Sequence, residues 1–126
     1  MVGILIVSHS RLLAEGVKDL TKMMADGCPV ACAGGLKDGG FGTDYEAIKE
    51  AVEAVHGADG AVVLADMGSA VMTAEMVLEE LGWPDVVMVD CPIAEGAVAA
   101  SLSSLLGDDL ETVKRQAMDA GKAAKW

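Results

Sequence analysis

Residues 1–11 read MVGILIVSHSR. Within them, Ile4-Leu5-Ile6-Val7 is a short, β-branched apolar run bounded by polar residues, the pattern of a strand buried on both faces, and it predicts a strand over 4–8. The run stops on His9, between two serines. A buried strand that ends this way carries an ionisable ring to one end of a sheet and holds it still there.

The same reading extends along the chain. Leu13, Val17, Leu20 and Met24 recur at spacings of four, three and four and predict a helix over 11–26 with that face inward, stopped by Gly27. "PVACA" at 29–33 is a weaker strand. Its opening proline places it at a side of the sheet. The glycine-rich loop 34–42 follows. Thr43 with Glu46 forms a capping-box pattern, so a helix starts near 44 with Tyr45, Ile48, Val52 and Val55 inward and ends at His56-Gly57. His56 reads as a last-turn residue facing the negative end of the helix dipole.

"GAVVLA" at 60–65 is a third buried strand closed by Asp66, and Gly68-Ser69 reads as a turn and N-cap for a helix over 70–81. Trp83-Pro84 breaks that helix, "VVMV" at 86–89 is a fourth strand, and two helices near 94–106 and 109–124 finish the chain. Asp108 with Glu111 makes a second capping-box pattern. Apolar strands alternating with helices predict an α/β fold: an open parallel sheet covered by helices on both faces. With 126 residues and no linker-like stretch, we expect a single domain over residues 1–126.

Composition narrows the function. The net charge is −11, which repels phosphate backbones and anionic lipid, so neither nucleic acid nor membrane insertion is expected. The first apolar run is too short to span a bilayer and lacks a basic leader, so it reads as a first strand of a cytoplasmic protein. Three cysteines without a Cys-x-x-Cys argue against a disulfide framework and against a closed zinc site. Cys28, Cys32 and Cys91 are expected as small packing residues. Aromatic residues make up 3% of the chain, so the core must be built from aliphatic side chains and methionine.

In open α/β sheets, functional groups gather beyond the carboxyl ends of the strands where strand order reverses. If strand 1 lies between strands 2 and 3, that point brings together His9 and Asp66. The carboxylate can fix one ring nitrogen and leave the other with its lone pair outward. The hydroxyls of Ser8, Ser10 and Ser69, backbone N–H groups near 10–12 and 68–70, and the charge of Arg11 can hold an anion before that nitrogen. Such a site suits a nucleophilic histidine that accepts and donates a phosphoryl group. Spacing alone supports equally a structural polar pair closing two strand ends. No Walker A loop and no Gly-x-Ser-x-Gly elbow occurs, so direct ATP binding and hydrolase chemistry are not indicated.

"IVSHS" at 6–10, "GTD" at 42–44, "ADMGSA" at 65–70 and "CPIAEGAVAA" at 91–100 resemble, in order and spacing along the whole chain, the mannose-type EIIA domain family. Within it they resemble the phosphocarrier subunits of bacterial dihydroxyacetone kinases fed by the sugar phosphotransferase system. The resemblance implies a homodimer and the strand order 2-1-3-4. It implies that His9 takes a phosphoryl group on Nε2 from phospho-HPr and passes it to ADP on the nucleotide-binding kinase subunit, with Asp66 as orienting partner. The phosphoryl group is then the transient cargo, and no tightly bound cofactor or metal is implied. Phosphoryl-binding positions carry over to Ser10, Arg11, Gly42, Thr43, Gly68 and Ser69. Some relatives carry HPr-like and enzyme I-like domains after this one, and we expect here the single-domain form. Sugar-permease EIIA domains usually show Asp-Gly-Gly-Ser-Pro where this chain has Asp66-Met67-Gly68-Ser69-Ala70, which favours the dihydroxyacetone branch. The rivals are a mannose-family permease EIIA and a ligand-binding α/β module without turnover.

Overall fold

The computed structural model describes residues 1–126. The elements are β1 (Gly3–Ser8), α1 (Arg11–Ala25), β2 (Val30–Gly34), α2 (Tyr45–Val55), β3 (Ala61–Ala65), α3 (Gly68–Leu81), β4 (Val86–Met88), α4 (Ile93–Leu105) and α5 (Leu110–Ala120). All four strands are parallel, in the order β2-β1-β3-β4. β1 is central, with Ile6 opposite Cys32 on one side and Leu64 on the other. Every residue of β1 is buried. A fully buried Ile or Leu side chain contributes about 1.5–3 kcal/mol, so this strand anchors the sheet.

The pleat of β1 divides two core layers. Ile4 and Ile6 face a layer closed by Ala14 and Val17 of α1, Ala97 and Ala100 of α4, and Val113 and Ala117 of α5. Leu5 and Val7 face the other layer, closed by Ile48 and Val52 of α2 and Ala70, Ala74 and Val77 of α3. Helices therefore cover both faces, as the uninterrupted apolar strands require. Cys28, Cys32 and Cys91 are half-buried free thiols packed against the first layer. No helix is long and apolar enough to cross a membrane.

Several local expectations are corrected. α1 turns Ala14, Val17, Thr21 and Ala25 inward, while Leu13, Leu20 and Met24 stay substantially exposed. Small side chains let this helix lie close to the sheet, and that displaced the buried stripe from the row of large residues. α2 is capped by Asp44, which accepts from the Ala47 N–H, and not by Thr43. α5 is capped by Asp109 rather than Asp108, whose carboxylate accepts instead from the Ser103 hydroxyl. α3 starts earlier than predicted, at Gly68, with no side-chain cap, so Ser69 is not an N-cap. α3 stops at Gly82, which adopts the left-handed conformation ahead of Trp83-Pro84.

Candidate functional site

Strand order reverses beside β1, and the two chain segments that leave β1 and β3 there carry His9 and Asp66. The ring Nδ1 lies 2.9 Å from Asp66 Oδ1. The backbone N–H of His9 also donates to Asp66 Oδ2, at 3.1 Å. The Ser8 hydroxyl donates to the same oxygen at 2.7 Å, and the Met67 N–H donates to Oδ1 at 2.8 Å. With Nδ1 as a donor, the carboxylate accepts four hydrogen bonds, three of them from Ser8 at the end of β1 and His9 just after it. Its side chain is 9% exposed. Partial burial pushes its pKa up, but the hydrogen bonds from Ser8 and from the side chain and backbone of His9, with the nearby imidazole, together hold it below its ordinary value. Asp66 is thus a fixed anion, and its demand for donors sets Nδ1 as the protonated nitrogen.

That tautomer puts the lone pair on Nε2. The ring is 22% exposed, and the hydroxyl of Ser69 donates to Nε2. Nε2 was expected to be bare. In this structure a surface hydroxyl one residue into α3 covers it.

Two helix N-termini open onto this corner. In α3 the first backbone hydrogen bonds come from the N–H groups of Ala70 and Val71, both to Met67 O, so those of Gly68 and Ser69 have no protein acceptor. In α1 the Leu13 N–H is taken by the Ser10 hydroxyl oxygen and the Ala14 N–H by Ser10 O, which leaves those of Arg11 and Leu12 unpaired. Unpaired N–H groups at a helix start favour an anion. The Arg11 side chain is exposed and is in no ion pair.

Other sequence-derived candidates stand differently. Ser8 is buried and holds Asp66, and its oxygen accepts from the Ser10 N–H, so it does not face the mouth. Gly42 donates its N–H to His9 O at 3.0 Å and supports the histidine from behind rather than offering an amide to a ligand. Its φ of +144° is one that side-chain-bearing residues rarely adopt. The Thr43 hydroxyl sits 3.0 Å from that of Thr73, which in turn donates to Ser69 O. Thr43 therefore braces the first turn of α3. Gly34 was not singled out from sequence. A Cβ there would lie 2.6 Å from Ser10 O and 2.7 Å from the Ala14 Cβ, so glycine is what lets α1 start this close to the end of β2. Burial and the charge of Asp90 push the Cys91 thiol up to about 11, so it is not a nucleophile.

Comparison with known proteins places the chain among phosphotransferase-system relatives. The family model EIIA-man, described as "PTS system fructose IIA component", matches residues 3–114. The phosphoryl donor subunit DhaM of the PEP-dependent dihydroxyacetone kinase of Escherichia coli K12 is 40% identical over 99% of this chain, which spans 28% of that relative's length. The corresponding subunit of dihydroxyacetone kinase 1 from Listeria innocua is 35% identical, with 88% of both chains covered. Among solved structures, a protein described as of unknown function superposes with a TM-score of 0.88 at 30% identity, over all of this chain and 99% of its own.

Proposed function

The chain belongs to the mannose-type EIIA family of the phosphotransferase system, and from that premise we propose that it is a phosphocarrier of a PEP-dependent dihydroxyacetone kinase. Residues 1–126 act as one domain in the cytoplasm. His9 accepts a phosphoryl group from phospho-HPr and passes it to ADP held on the nucleotide-binding kinase subunit. The observation that carries this reading is the four-donor clamp on Asp66, which fixes Nδ1 and presents Nε2 between two helix N-termini.

The steps follow from the site. The Ser69 hydroxyl swings off Nε2 as the donor arrives. The Nε2 lone pair attacks phosphorus, the Nε2–P bond forms, and the bond from phosphorus to the donor side chain breaks. The ring keeps its Nδ1 proton and gains positive charge, which the adjacent Asp66 carboxylate stabilises. The N–H groups of Gly68, Ser69, Arg11 and Leu12 and the Arg11 guanidinium take up the phosphoryl oxygens. Transfer to ADP runs the same steps in reverse, with the ADP terminal oxygen as acceptor. The phosphoryl group is cargo, and the site needs no resident cofactor.

We also assign the homodimer implied by the family resemblance to this chain. The exposed Leu13, Leu20 and Met24 stripe on α1 supplies apolar area for it. Sedimentation at micromolar concentration checks this, with a dimer mass expected.

The test of function is intact-mass analysis after incubation with phospho-HPr, followed by addition of ADP-loaded kinase subunit. One phosphoryl group per chain is expected, lost on the second addition. A permease EIIA is the second reading, favoured by the wording of the matching family model. Transfer to an EIIB domain in preference to the ADP-loaded subunit would establish it instead.

A further inference from the structure

The chain contains one phenylalanine, Phe41, and it is 84% exposed. An exposed aromatic ring in a chain this poor in aromatics needs a reason. Its position supplies one. Phe41 lies at the end of the loop between β2 and α2, and that loop is strapped to the site at both ends: the Gly35 N–H donates to Ser8 O and the Gly42 N–H to His9 O. Inside it, Leu36 N–H to Gly40 O, Gly39 N–H to Leu36 O and Gly40 N–H to Asp38 Oδ1 close two tight turns. The ring is thus carried on a braced loop whose next residue is bonded to the reactive histidine.

Around the same mouth, Leu12 (77%), which carries one of the unpaired N–H groups, and Met67 (60%), which precedes two of them, are exposed. Large apolar side chains clustered about a polar centre mark a docking surface, and aromatic residues are the usual anchors.

Next to Asp66, a pocket of about 420 Å³ is lined by Ala65, Val71, Met88, Val89 and Cys91 together with Glu75 and Asp90. Neither carboxylate is in an ion pair or a side-chain hydrogen bond. On a chain of net charge −11, these two carboxylates favour a basic side chain with an apolar stem in this pocket.

We propose that Phe41 is the docking anchor for the phosphoryl-donor protein, inserting into an apolar pocket of that partner while a Lys or Arg of the partner enters the Glu75–Asp90 pocket. This rests on the phosphocarrier reading. Both partners must reach His9, and the occupant assigned here is the donor: a nucleotide adds polyphosphate charge beside Glu75 and Asp90, which weakens the seating of a basic side chain between them. A phosphoprotein brings a single phosphoryl group, centred on the unpaired N–H groups. Seating Phe41, Leu12 and Met67 against the donor also expels water from the phosphoryl group during transfer.

The experiment measures the rate of His9 phosphorylation against the concentration of phospho-HPr for wild type, Phe41→Ala, Phe41→Leu and Glu75→Lys. Phosphoramidate, a small donor that needs no docking, is run in parallel. Phe41→Ala should raise KM for phospho-HPr about tenfold with kcat nearly unchanged, and Phe41→Leu should restore part of the loss. Glu75→Lys should raise KM and flatten its salt dependence. Labelling by phosphoramidate should be the same in all four. A Phe41→Ala KM within twofold of wild type overturns the proposal, as does an equal loss with phosphoramidate, which would place Phe41 inside the site's own architecture. A KM rise confined to transfer onto the ADP-loaded subunit overturns the choice of donor. If wild type takes no label from either donor, the phosphocarrier reading itself fails. Labelled wild type with an unmoved Phe41→Ala KM sinks only the docking claim.

Discussion

Two histidine–aspartate pairs sit at opposite ends of the sheet. His9 and Asp66 follow the carboxyl ends of β1 and β3, while His56 and Asp85 precede the amino ends of β3 and β4. Both pairs are 2.9 Å apart and their rings are about equally exposed, 22% and 24%. They differ in everything else. Asp66 accepts four hydrogen bonds and is 9% exposed, whereas Asp85 is 41% exposed and its carboxylate holds only His56. Asp66 takes Nδ1 and leaves Nε2 toward unpaired helix N–H groups. Asp85 takes Nε2, and the His56 ring is stacked on Trp83 with centroids 4.2 Å apart. The first arrangement fixes a tautomer and aims a lone pair at an anion cradle. The second is a clasp between the end of α2 and the loop before β4. Pair distance and ring exposure do not separate them; the donors on the carboxylate and the surroundings of the second nitrogen do.

The largest test of that contrast is to delete each ring. His9→Ala should take up no acid-labile phosphate from phospho-HPr, and His56→Ala should label to wild-type extent, both read by intact mass. Label on His9→Ala would erase the distinction. Deleting each carboxylate comes next. Asp66→Ala should fold and slow phosphoryl transfer about 10²-fold, since ring orientation and charge stabilisation are lost together. Asp85→Ala should leave the transfer rate unchanged in the same quenched-flow assay. Ser69→Ala should have a smaller effect, about tenfold on rate, because the backbone N–H groups remain.

On the stability side, His56→Ala should cost about 1 kcal/mol in urea unfolding, from the hydrogen bond to Asp85 and the ring stack, and should change Trp83 fluorescence. The smallest effect is in acid. The pKa of Asp66 is lowered on folding, so its stabilisation is present above the ordinary carboxylate value of about 3.9 and is lost as pH falls through the lower folded value. The stability advantage of wild type over Asp66→Asn should therefore shrink as pH drops below about 4. An advantage that grows in acid would contradict the clamp.

The strands were legible because β1 and β3 are uninterrupted apolar runs, and such runs demand helices on both faces; their order 2-1-3-4 was implied by the family resemblance and not by the runs. His9 and Asp66 were legible for the same reason, as the first polar groups past two buried strands that the expected order makes neighbours. Where several residues of one chemistry stand side by side, the sequence left ties that backbone geometry broke, as between Thr43 and Asp44 or Asp108 and Asp109. The α1 face was misread because periodicity favours the large side chains, while close helix–sheet contact selected Ala14, Thr21 and Ala25. Ser69 was misread as a cap because α3 starts at Gly68, two residues earlier than its apolar pattern suggested. The roles of Gly34 and Phe41 were not visible at all: one depends on how near α1 comes to β2, the other on where the β2–α2 loop is tied.

The most direct measurement is nitrogen-15 NMR of the imidazole of His9 in the phosphorylated protein. The clamp on Asp66 requires phosphorus on Nε2, with the Nδ1 proton retained and slow to exchange. Phosphorus on Nδ1, or on His56, would contradict it.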